Sequence, residues 1–478
     1  MTENKEIPTI LIILGITGDL TAKKVVPALF SLYKKGVLGE KFRIVGFGRK
    51  PFDNESIKPF IAELVKAKVS NPDSKSLAGF TNLFAYQQGL FETAESYQAL
   101  KKMLDKIQEP WQTKTNRLFY LAVPPDIYQT IFENLKFSGL SDTPNNSDVE
   151  TRILVEKPFG TNSQSAEKLE ILLGSLFAEN KIYRIDHYLA KEMVQNILTF
   201  RFSNDLFEKT WNREFIEKIE IRLWETLGVE KRGSFYDPIG ALRDVGQNHL
   251  LQMLALITMD YPLDLNPAAL HFRRAQILHN LKPLTAESVK QNTYRAQYSG
   301  YRQIDGVKSG SGTETYFKIK AYLTDPRWQG VPIFFESGKR MQEQRKEAVV
   351  TYRHPENCFC PSGGRHYKNR IIFSLEPTEG ITIEFWSKKP GLQMVLESRT
   401  IDFVLRTSSE RTQYVEEYEK LLLDCISGDQ TLFVSTSEVK AMWAFIDPII
   451  SAWEQNLVPL KAYQPDTNEA VMESLDLN

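Results

Sequence analysis

One segment near the start of the chain limits the fold more than any other. An unbroken apolar run, Ile10 to Leu14, is followed by Gly15 and Gly18 and then by a helical pattern. The run predicts a buried strand, and the glycines permit a tight turn where that strand leads into a helix. This order of strand, turn and helix is typical of doubly wound α/β folds, where it holds the pyrophosphate of a dinucleotide. Gly15-x-x-Gly18 alone is equally compatible with a turn that binds nothing.

The first third of the chain repeats this alternation of β-branched runs and amphipathic helical windows, which favours a parallel sheet covered by helices. Strands are predicted at Thr9–Leu14, Phe42–Gly46, Leu118–Ala122 and Arg152–Val155. Helices are predicted near Lys23–Lys35, Glu55–Val69, Ala94–Ile107 and Asp126–Leu135, with surface loops at Asn71–Gly79 and Ser141–Asp148. We therefore expect a Rossmann-type, doubly wound parallel sheet over residues 1–185.

The pattern changes after about residue 185, where helical windows are mixed with period-two runs. The helical windows are Ala190–Leu206, Gly240–Met259, Glu410–Ser427 and Glu438–Trp453. The period-two runs include Lys218–Leu223, Phe317–Leu323, Arg370–Leu375 and Gly380–Trp386. This mixture predicts a larger α+β domain with a mostly antiparallel sheet over residues 186–478. The tail from Gln464 is polar, and we expect it to be mobile.

Composition excludes several classes of protein. The chain has 59 Lys and Arg against 60 Asp and Glu, with no clustered basic tract, so nucleic acid is not an expected partner. Its longest apolar stretch, Ile7 to Ile16, is too short to span a bilayer and lacks the flanks of a signal peptide. Three cysteines cannot build a disulfide framework. We expect reduced thiols, no membrane partner and a cytoplasmic location.

The end of the second predicted strand bears on the choice of dinucleotide. An NAD-selective site would place an acidic residue there for the ribose hydroxyls, whereas this chain has Arg49 and Lys50. Two cations suit a 2′-phosphate, so NADP is favoured over NAD. The alternative is that Arg49 and Lys50 are a solvated pair on a loop.

Polar residues concentrate in three segments, 155–160, 183–192 and 244–251. His187 and Lys191 are four residues apart, so on a helix they would share a face and bind a phosphate group between them. His249 lies in an apolar window, where an imidazole could act as a general base if a carboxylate such as Asp186 oriented it. A hydrogen-bonded core histidine is the alternative. Lys157 follows a predicted strand, where open α/β sheets bind ligands, or is a surface lysine in a turn.

Taken together, these segments resemble glucose-6-phosphate dehydrogenase over nearly the whole chain, from about Pro8 to Leu460. The most specific motif is Arg184-Ile-Asp-His-Tyr-Leu-Ala-Lys-Glu192. Five further motifs follow the family's order: Gly-x-x-Gly-Asp-Leu at 15–20, Glu-Lys-Pro-Phe-Gly at 156–160, Gln-Asn-His-Leu at 247–250, Pro-Arg-Trp-Gln-Gly-Val-Pro at 326–332 and Lys-Lys-Pro-Gly at 388–391.

The resemblance implies an activity. The enzyme would oxidise glucose 6-phosphate at C1 to 6-phosphogluconolactone and pass the hydride to NADP, the first step of the oxidative pentose phosphate pathway. His249 would take the proton from the C1 hydroxyl, with Asp186 paired to it. No metal is required, because hydride transfer is the cofactor's own chemistry. The family also implies a homodimer, or a homotetramer as a dimer of dimers, through the large sheet.

The resemblance also assigns binding roles. Substrate positions are Lys157, His187, Tyr188, Lys191, Glu225, Asp244 and Lys339, of which His187, Tyr188 and Lys191 match the 6-phosphate site. Cofactor positions are Gly15, Thr17, Gly18, Asp19, Leu20, Lys24, Arg49 and Lys157, with Arg49 at the 2′-phosphate and Lys157 between sugar and nicotinamide. Carboxylates suit sugar hydroxyls as acceptors, and lysine suits a dianionic phosphate.

Three features depart from the family pattern. Ala190 replaces a glycine, which would shift Lys191 if the position needs a positive φ. Thr21 replaces a small residue of the fingerprint and is expected to loosen helix packing on the first strand. His354, Cys358, Cys360 and His366 are four potential zinc ligands, although Cys-x-Cys is tighter than the usual spacing and the family has no metal there.

Two other functions remain open on the sequence. A broader sugar oxidoreductase shares the architecture and the Glu-Lys-Pro turn, and the phosphate-binding trio separates it. A non-catalytic NADP-binding protein would keep the fold without turnover. The presence of Lys157, Asp186, Asp244 and His249 together favours catalysis.

Overall fold

A computed structural model describes residues 7–113, 115–142, 150–354, 357, 367–405 and 415–477. The chain divides into two compact units. The first comprises Met1–Gly160, Gln164–Ala190 and Val415–Thr436, and the second comprises Thr161–Ser163, Lys191–Tyr414 and Ser437–Asn478. No helix among the described residues is both long and apolar enough to cross a membrane.

The described strands and helices are numbered here in chain order. The strands are β1 Thr9–Leu14, β2 Phe42–Gly48, β3 Phe84–Gln88, β4 Asn116–Leu121, β5 Thr151–Glu156, β6 Ile182–Ile185, β7 Ile216–Trp224, β8 Thr293–Tyr298, β9 Tyr316–Ala321, β10 Ile333–Gly338, β11 Arg345–Tyr352, β12 Arg370–Glu376, β13 Gly380–Lys388, β14 Leu396–Val404, β15 Phe433–Val434 and β16 Leu460–Tyr463. The α-helices are α1 Val26–Lys34, α2 Ile57–Lys66, α3 Ser74–Thr81, α4 Ala94–Gln108, α5 Tyr128–Phe137, α6 Ser163–Gly174, α7 Glu192–Phe202, α8 Asp205–Glu208, α9 Gly233–Tyr236, α10 Leu251–Thr258, α11 Pro267–His279, α12 Ala286–Asn292, α13 Glu417–Ser427, α14 Thr436–Glu454 and α15 Glu469–Glu473. Thr21–Val25 and Leu242–Leu250 are π-helical.

The sheet of the first unit confirms the predicted Rossmann-type fold. Its seven strands run in the order β15-β6-β5-β4-β1-β2-β3, and all neighbours are parallel except β15 against β6. Every residue of β1 is buried, as expected for a strand covered by helices on both faces. The chain reverses its direction of strand addition at β1, between β2 and β4, which is where doubly wound sheets bind nucleotides.

The sheet of the second unit is mostly antiparallel, as predicted. Its nine strands run in the order β14-β13-β12-β11-β7-β10-β9-β8-β16. Two neighbouring pairs are parallel, β7 with β10 and β8 with β16. The π-helical segment Leu242–Leu250 packs on β7 and β10, and it continues directly into α10.

The prediction of a loop at Asn71–Gly79 is wrong, because α3 begins there. The side chain of Asp73 accepts a hydrogen bond from the backbone N–H of Ser76 at 2.7 Å and caps the helix. Leu77 and Phe80 on the same helix are buried. A capped apolar face therefore outweighs the turn signal of Asn71 and Pro72. Most of the other predicted loop, Ser141–Asp148, lies outside the described residues.

Two further differences concern the later part of the chain. The sequence placed a single boundary between residues 185 and 186, whereas the first unit also includes Val415–Thr436, because α13 packs against α1 and β15 pairs with β6. The tail after Gln464 is packed rather than mobile. Ala470 is fully buried, and Asp466 forms an ion pair with Arg340 at 2.5 Å.

Arg184 on β6 is the most heavily hydrogen-bonded buried cation described in the first unit. Its guanidinium is fully buried and donates to Glu170 at 2.9 and 2.5 Å and to Glu179 at 2.9 and 3.1 Å. It also donates to the carbonyl of Val434 at 3.2 Å and to the hydroxyl of Thr436 at 2.7 Å. The side chain thus ties β6 to segments far apart in the sequence.

We predict that Arg184→Lys destabilises the protein by about 3 kcal/mol, because an ammonium cannot satisfy two carboxylates, a carbonyl and a hydroxyl at once in a buried position. Urea unfolding followed by circular dichroism measures this. The control is Arg370→Lys, which alters a half-exposed ion pair with Glu384 and should cost less than about 1 kcal/mol. Equal losses of unfolding free energy in Arg184→Lys and Arg370→Lys would contradict the stabilising role assigned to Arg184.

Candidate active site

The first turn of the first unit has the geometry of a phosphate cradle. Gly15 has a φ of +87°, and a Cβ atom there would lie 2.4 Å from the carbonyl oxygen of Ala122. Only glycine fits this turn. The N–H of Gly18 donates to the carbonyl of Gly15 at 2.9 Å, and the helix begins at Asp19. Backbone N–H groups at such a helix start attract a pyrophosphate.

The remaining cofactor-side positions lie on or beside this helix. Thr17 and Leu20 are half-buried, whereas Asp19 and Lys24 are exposed. Asp19 pairs with Lys23 at 2.7 Å, and this partner lowers the pKa of its carboxyl.

The expectation that Thr21 loosens helix packing is not met by its contacts. The Thr21 side chain is fully buried, and its hydroxyl donates to the carbonyl of Gly15 at 3.2 Å. It therefore ties the first turn of the helix to the glycine turn.

Arg49 and Lys50 are exposed immediately after β2. The hydroxyl oxygen of Tyr86 lies 2.8 Å from the carbonyl oxygens of both Gly48 and Lys50, which fixes the path of this turn. The Lys50 ammonium lies 5.8 Å above the ring of Phe60. The two cations therefore differ in their surroundings, and no ion pair among the described residues involves Arg49.

A half-buried glutamate, Glu156, stands at the end of β5, one residue before Lys157. Glu156 accepts hydrogen bonds from the hydroxyls of Tyr120 at 2.6 Å and Tyr418 at 3.2 Å. Burial raises the pKa of Glu156 to about 7, although the two hydroxyls and the charge of Lys157 act in the opposite direction. The negative charge of Asp186 adds to the rise. Lys157 itself is half-buried.

Asp186 follows β6 directly and is only 1% exposed. Its Oδ1 accepts the N–H of Tyr188 at 3.0 Å, and its carbonyl accepts the N–H of Leu189 at 3.0 Å. The rings of His187 and Tyr188 are 5.1 Å apart. A buried carboxylate held in a tight turn by its own chain is suited to orient a histidine.

The backbone gives no support to the predicted effect of Ala190. The described non-glycine residues with positive φ are Asn71, Gln112, Glu230, Arg340, Asn456 and Asp466. Ala190 is not among them, so alanine introduces no left-handed strain before Lys191.

The prediction that His187 and Lys191 share a helix face is wrong. Residues 187–190 form a turn, and α7 begins at Glu192, so the two side chains do not share a helix. Lys191 instead precedes that helix, and its carbonyl accepts the N–H groups of Val194 and Gln195 at 3.0 and 3.1 Å. Their joint role as phosphate ligands stays a prediction from the family motif.

In the second unit, Glu225 and Lys339 follow two parallel neighbours, β7 and β10, whose last residues are paired in register. Parallel strands end at the same sheet edge, so the two side chains meet there. Lys339 Nζ lies 2.6 Å from Glu225 Oε2 and 3.8 Å from Asp244 Oδ2. Burial acts to raise the pKa of Glu225, but the ammonium groups of Lys339 and Lys346 leave it below its usual range.

Two members of this cluster were not identified from the sequence. Lys346 Nζ lies 3.5 Å from Glu225 Oε1, and Lys339 Nζ lies 5.2 Å above the ring of Tyr236. Lys346 reaches the cluster because β11 pairs antiparallel with β7, opposite Leu223. The period-two pattern of β11 could have predicted a strand, but the sequence does not show how that strand is aligned against β7.

His249 and Asp244 lie on the π-helical segment Leu242–Leu250. His249 follows Asp244 by five positions, and π-helical winding, with its i to i+5 hydrogen bonds, brings such residues close to one face. His249 is only 1% exposed, and its backbone N–H donates to Asn248 Oδ1 at 2.6 Å. The imidazole is thus buried on the same segment that carries a carboxylate of the Lys339 cluster.

The predicted site residues therefore fall into two groups. The first unit carries Gly15, Thr17, Gly18, Asp19, Leu20, Lys24, Arg49, Lys157, Asp186, His187 and Tyr188, and the second carries Lys191, Glu225, Asp244, His249 and Lys339. The pairing of Asp186 with His249 stays a prediction. Of the four potential zinc ligands, Cys358, Cys360 and His366 lie outside the described residues.

Two family models match the sequence in tandem. Residues 12–196 match the glucose-6-phosphate dehydrogenase NAD binding domain, and residues 198–475 match the glucose-6-phosphate dehydrogenase C-terminal domain. A solved glucose-6-phosphate dehydrogenase in complex with its substrate glucose-6-phosphate is 32% identical, with a TM-score of 0.87 over 96% of this chain and 95% of that one.

Relatives from three organisms match this chain over most of its length. Glucose-6-phosphate 1-dehydrogenase of Chlamydia muridarum is 36% identical over 94% of this chain and 91% of its own length. The Bacillus subtilis enzyme of the same name is 36% identical over 95% and 94%. Glucose-6-phosphate 1-dehydrogenase 6, cytoplasmic, of Arabidopsis thaliana is 35% identical over 95% and 88%.

The raised pKa of Glu156 predicts a pH-dependent stability. Its carboxyl titrates higher when folded than when unfolded, so wild type loses stability as the pH rises through the window between an ordinary carboxyl pKa and about 7. In Glu156→Gln the side chain at this position carries no charge at any pH in that window. We therefore expect the thermal midpoint of Glu156→Gln, relative to wild type, to rise between about pH 5 and about pH 8.5.

Differential scanning calorimetry across that range measures the effect. Glu63→Gln, at an exposed position on α2, is the control and should show no such rise. A difference in thermal midpoint between Glu156→Gln and wild type that stays constant with pH would contradict the raised pKa of Glu156.

Proposed function

The chain belongs to the glucose-6-phosphate dehydrogenase family, and on that basis we propose that it oxidises D-glucose 6-phosphate at C1 with NADP as hydride acceptor. The observation that carries the proposal is the cluster of buried Lys339 with half-buried Glu225 and Asp244, on the unit that also carries His249. One cation between two carboxylates is suited to bind several sugar hydroxyls at once. The product is 6-phosphogluconolactone, which begins the oxidative pentose phosphate pathway.

In this mechanism the imidazole of His249 takes the proton of the C1 hydroxyl, and the hydride that leaves C1 would be accepted by NADP when it is bound. The C1–O bond becomes the lactone carbonyl, and the imidazole becomes a cation. Asp186 is assigned to hold the imidazole in the correct tautomer and to stabilise that cation. The low exposure of both side chains supports the assignment, because charge interactions are stronger away from water.

His187, Tyr188 and Lys191 are assigned to the 6-phosphate, and Lys157 to the space between sugar and nicotinamide. Lysine and protonated histidine match a dianionic phosphate in charge, and a tyrosine hydroxyl donates a further hydrogen bond. The exposure of the His187 and Lys191 side chains, which are half-buried, is compatible with a ligand contact.

The residues present fit NADP. Gly15 makes the tight turn, with a φ of +87°, that brings the backbone to the start of the helix, the helix start at Asp19 attracts a pyrophosphate, and exposed Arg49 suits a 2′-phosphate. Thr17, Gly18, Leu20 and Lys24 complete the assigned cofactor side. When bound, NADP supplies the electrophilic nicotinamide ring that accepts the hydride.

We further propose a homodimer or homotetramer formed through the large sheet, and a cytoplasmic location like that named for the Arabidopsis relative. Outer strand β14 supports the assembly, because Ile401 and Phe403 on it are 59% and 51% exposed. Apolar residues on an outer strand, which pairs with a neighbour on one side only among the described strands, favour association. Light scattering on the purified protein tests this, and a monomer at micromolar concentration would contradict it.

The activity is tested by NADPH formation with glucose 6-phosphate, compared with unphosphorylated glucose and with NAD. We expect turnover to require the sugar phosphate and to favour NADP, because cations are assigned to both phosphates. Turnover of glucose at an equal rate would favour a broader sugar oxidoreductase. NADP binding without any turnover would favour the non-catalytic alternative.

A matched pair of variants tests the base in the same assay. His249→Asn should lower kcat by a factor of about 100 or more, with the KM for NADP nearly unchanged, because amide nitrogen is not a base at neutral pH. The control is His279→Asn, at the end of α11, where the imidazole Nδ1 lies 3.0 Å from the carbonyl oxygen of Ala275. Wild-type kcat in His249→Asn would contradict the mechanism.

A further inference from the structure

Glu314 is a buried carboxylate that no part of the proposed mechanism uses. It lies two residues before β9 and is 8% exposed. Its Oε1 accepts the backbone N–H of Leu242 at 2.9 Å. Its carbonyl accepts the N–H of Ala241 at 3.1 Å. One residue thus holds two successive N–H groups at the start of the π-helical segment, where the segment's own carbonyls cannot.

The backbone before the segment is shaped to admit this carboxylate. Gly240 has a φ of +75°, and a Cβ atom there would lie 2.4 Å from Glu314 Oε1. Any other residue would push the carboxylate away from Leu242. The position of the Glu314 carboxylate therefore requires a glycine at position 240.

Thr315, the residue after Glu314, contacts the backbone of the Lys339 cluster. The carbonyl of Thr315 accepts the backbone N–H of Lys339 at 2.9 Å. Asp244 lies two residues beyond Leu242 and is 3.8 Å from the Lys339 ammonium. Residues 314 and 315 therefore join two parts of the site. One is the start of the π-helical segment that carries Asp244 and His249, and the other is Lys339.

We propose that Glu314 is a positioning residue for sugar oxidation: by holding Leu242, it sets Asp244 and His249 in place relative to Lys339. This inference rests on the proposed function and assigns Glu314 no contact with substrate. A displacement of Asp244 and His249 by a fraction of an ångström is enough to slow a reaction that depends on alignment.

The test compares Glu314→Ala with Glu314→Gln in steady-state kinetics. Alanine removes the acceptor, and we expect kcat/KM for glucose 6-phosphate to fall about tenfold or more. The amide oxygen of glutamine still accepts the Leu242 N–H, so Glu314→Gln should stay within about threefold of wild type. The KM for NADP should change by less than about twofold in both variants. Glu287→Ala, which removes an exposed ion pair with Lys290 in the same unit, is the control.

A purely structural role for Glu314 would lower the thermal midpoint of Glu314→Ala but leave kcat/KM unchanged at 25 °C, and that result would overturn the inference. Equal losses in the alanine and glutamine variants would also overturn it. If Glu314→Ala does not fold, Glu314→Asp takes its place, because its shorter side chain keeps the charge but not the reach. Wild-type kcat/KM in Glu314→Asp would then overturn the inference.

The same data separate this inference from the proposed function. Absence of turnover in wild type rejects the proposed function. Wild-type turnover that Glu314→Ala retains rejects only the positioning role.

Discussion

The first unit depends on the burial of one guanidinium. Arg184 has no exposure to solvent, so its charge is tolerated only because five N–H donors are matched by Glu170, Glu179, Val434 and Thr436. Two of these partners come from the segment Val415–Thr436, which explains why a late part of the chain completes an early fold. Asp186 follows two residues later, so the interaction that secures β6 also fixes the position of the assigned orienting carboxylate.

Parallel strands position the site residues in both units. Because such strands end at one edge of a sheet, residues far apart in the sequence come together when they follow neighbouring strands. In the first unit these residues are Gly15 after β1, Arg49 after β2, Lys157 after β5 and Asp186 after β6. In the second unit the only central parallel pair among the described strands, β7 with β10, places Glu225 beside Lys339.

The sequence predicted the two sheets, the glycine turn and the family, because each depends on local patterns or on contiguous motifs. It did not predict Lys346 or Glu314. Lys346 enters the cluster through the register of β11 on β7, and the Glu314 side chain accepts one hydrogen bond from the backbone N–H of Leu242. Neither contact leaves a periodicity. Helix α3 was missed because the Asp73 cap and buried Phe80 outweigh a turn-rich composition.

The proposed reaction passes a hydride from C1 of the sugar to NADP. Its most direct test is a reaction with glucose 6-phosphate carrying deuterium at C1, followed by mass spectrometry of the reduced cofactor. We expect NADPH that carries one deuterium, and a slower rate with the labelled sugar when hydride transfer limits turnover. Unlabelled NADPH from a fully labelled substrate would show that the hydride does not come from C1.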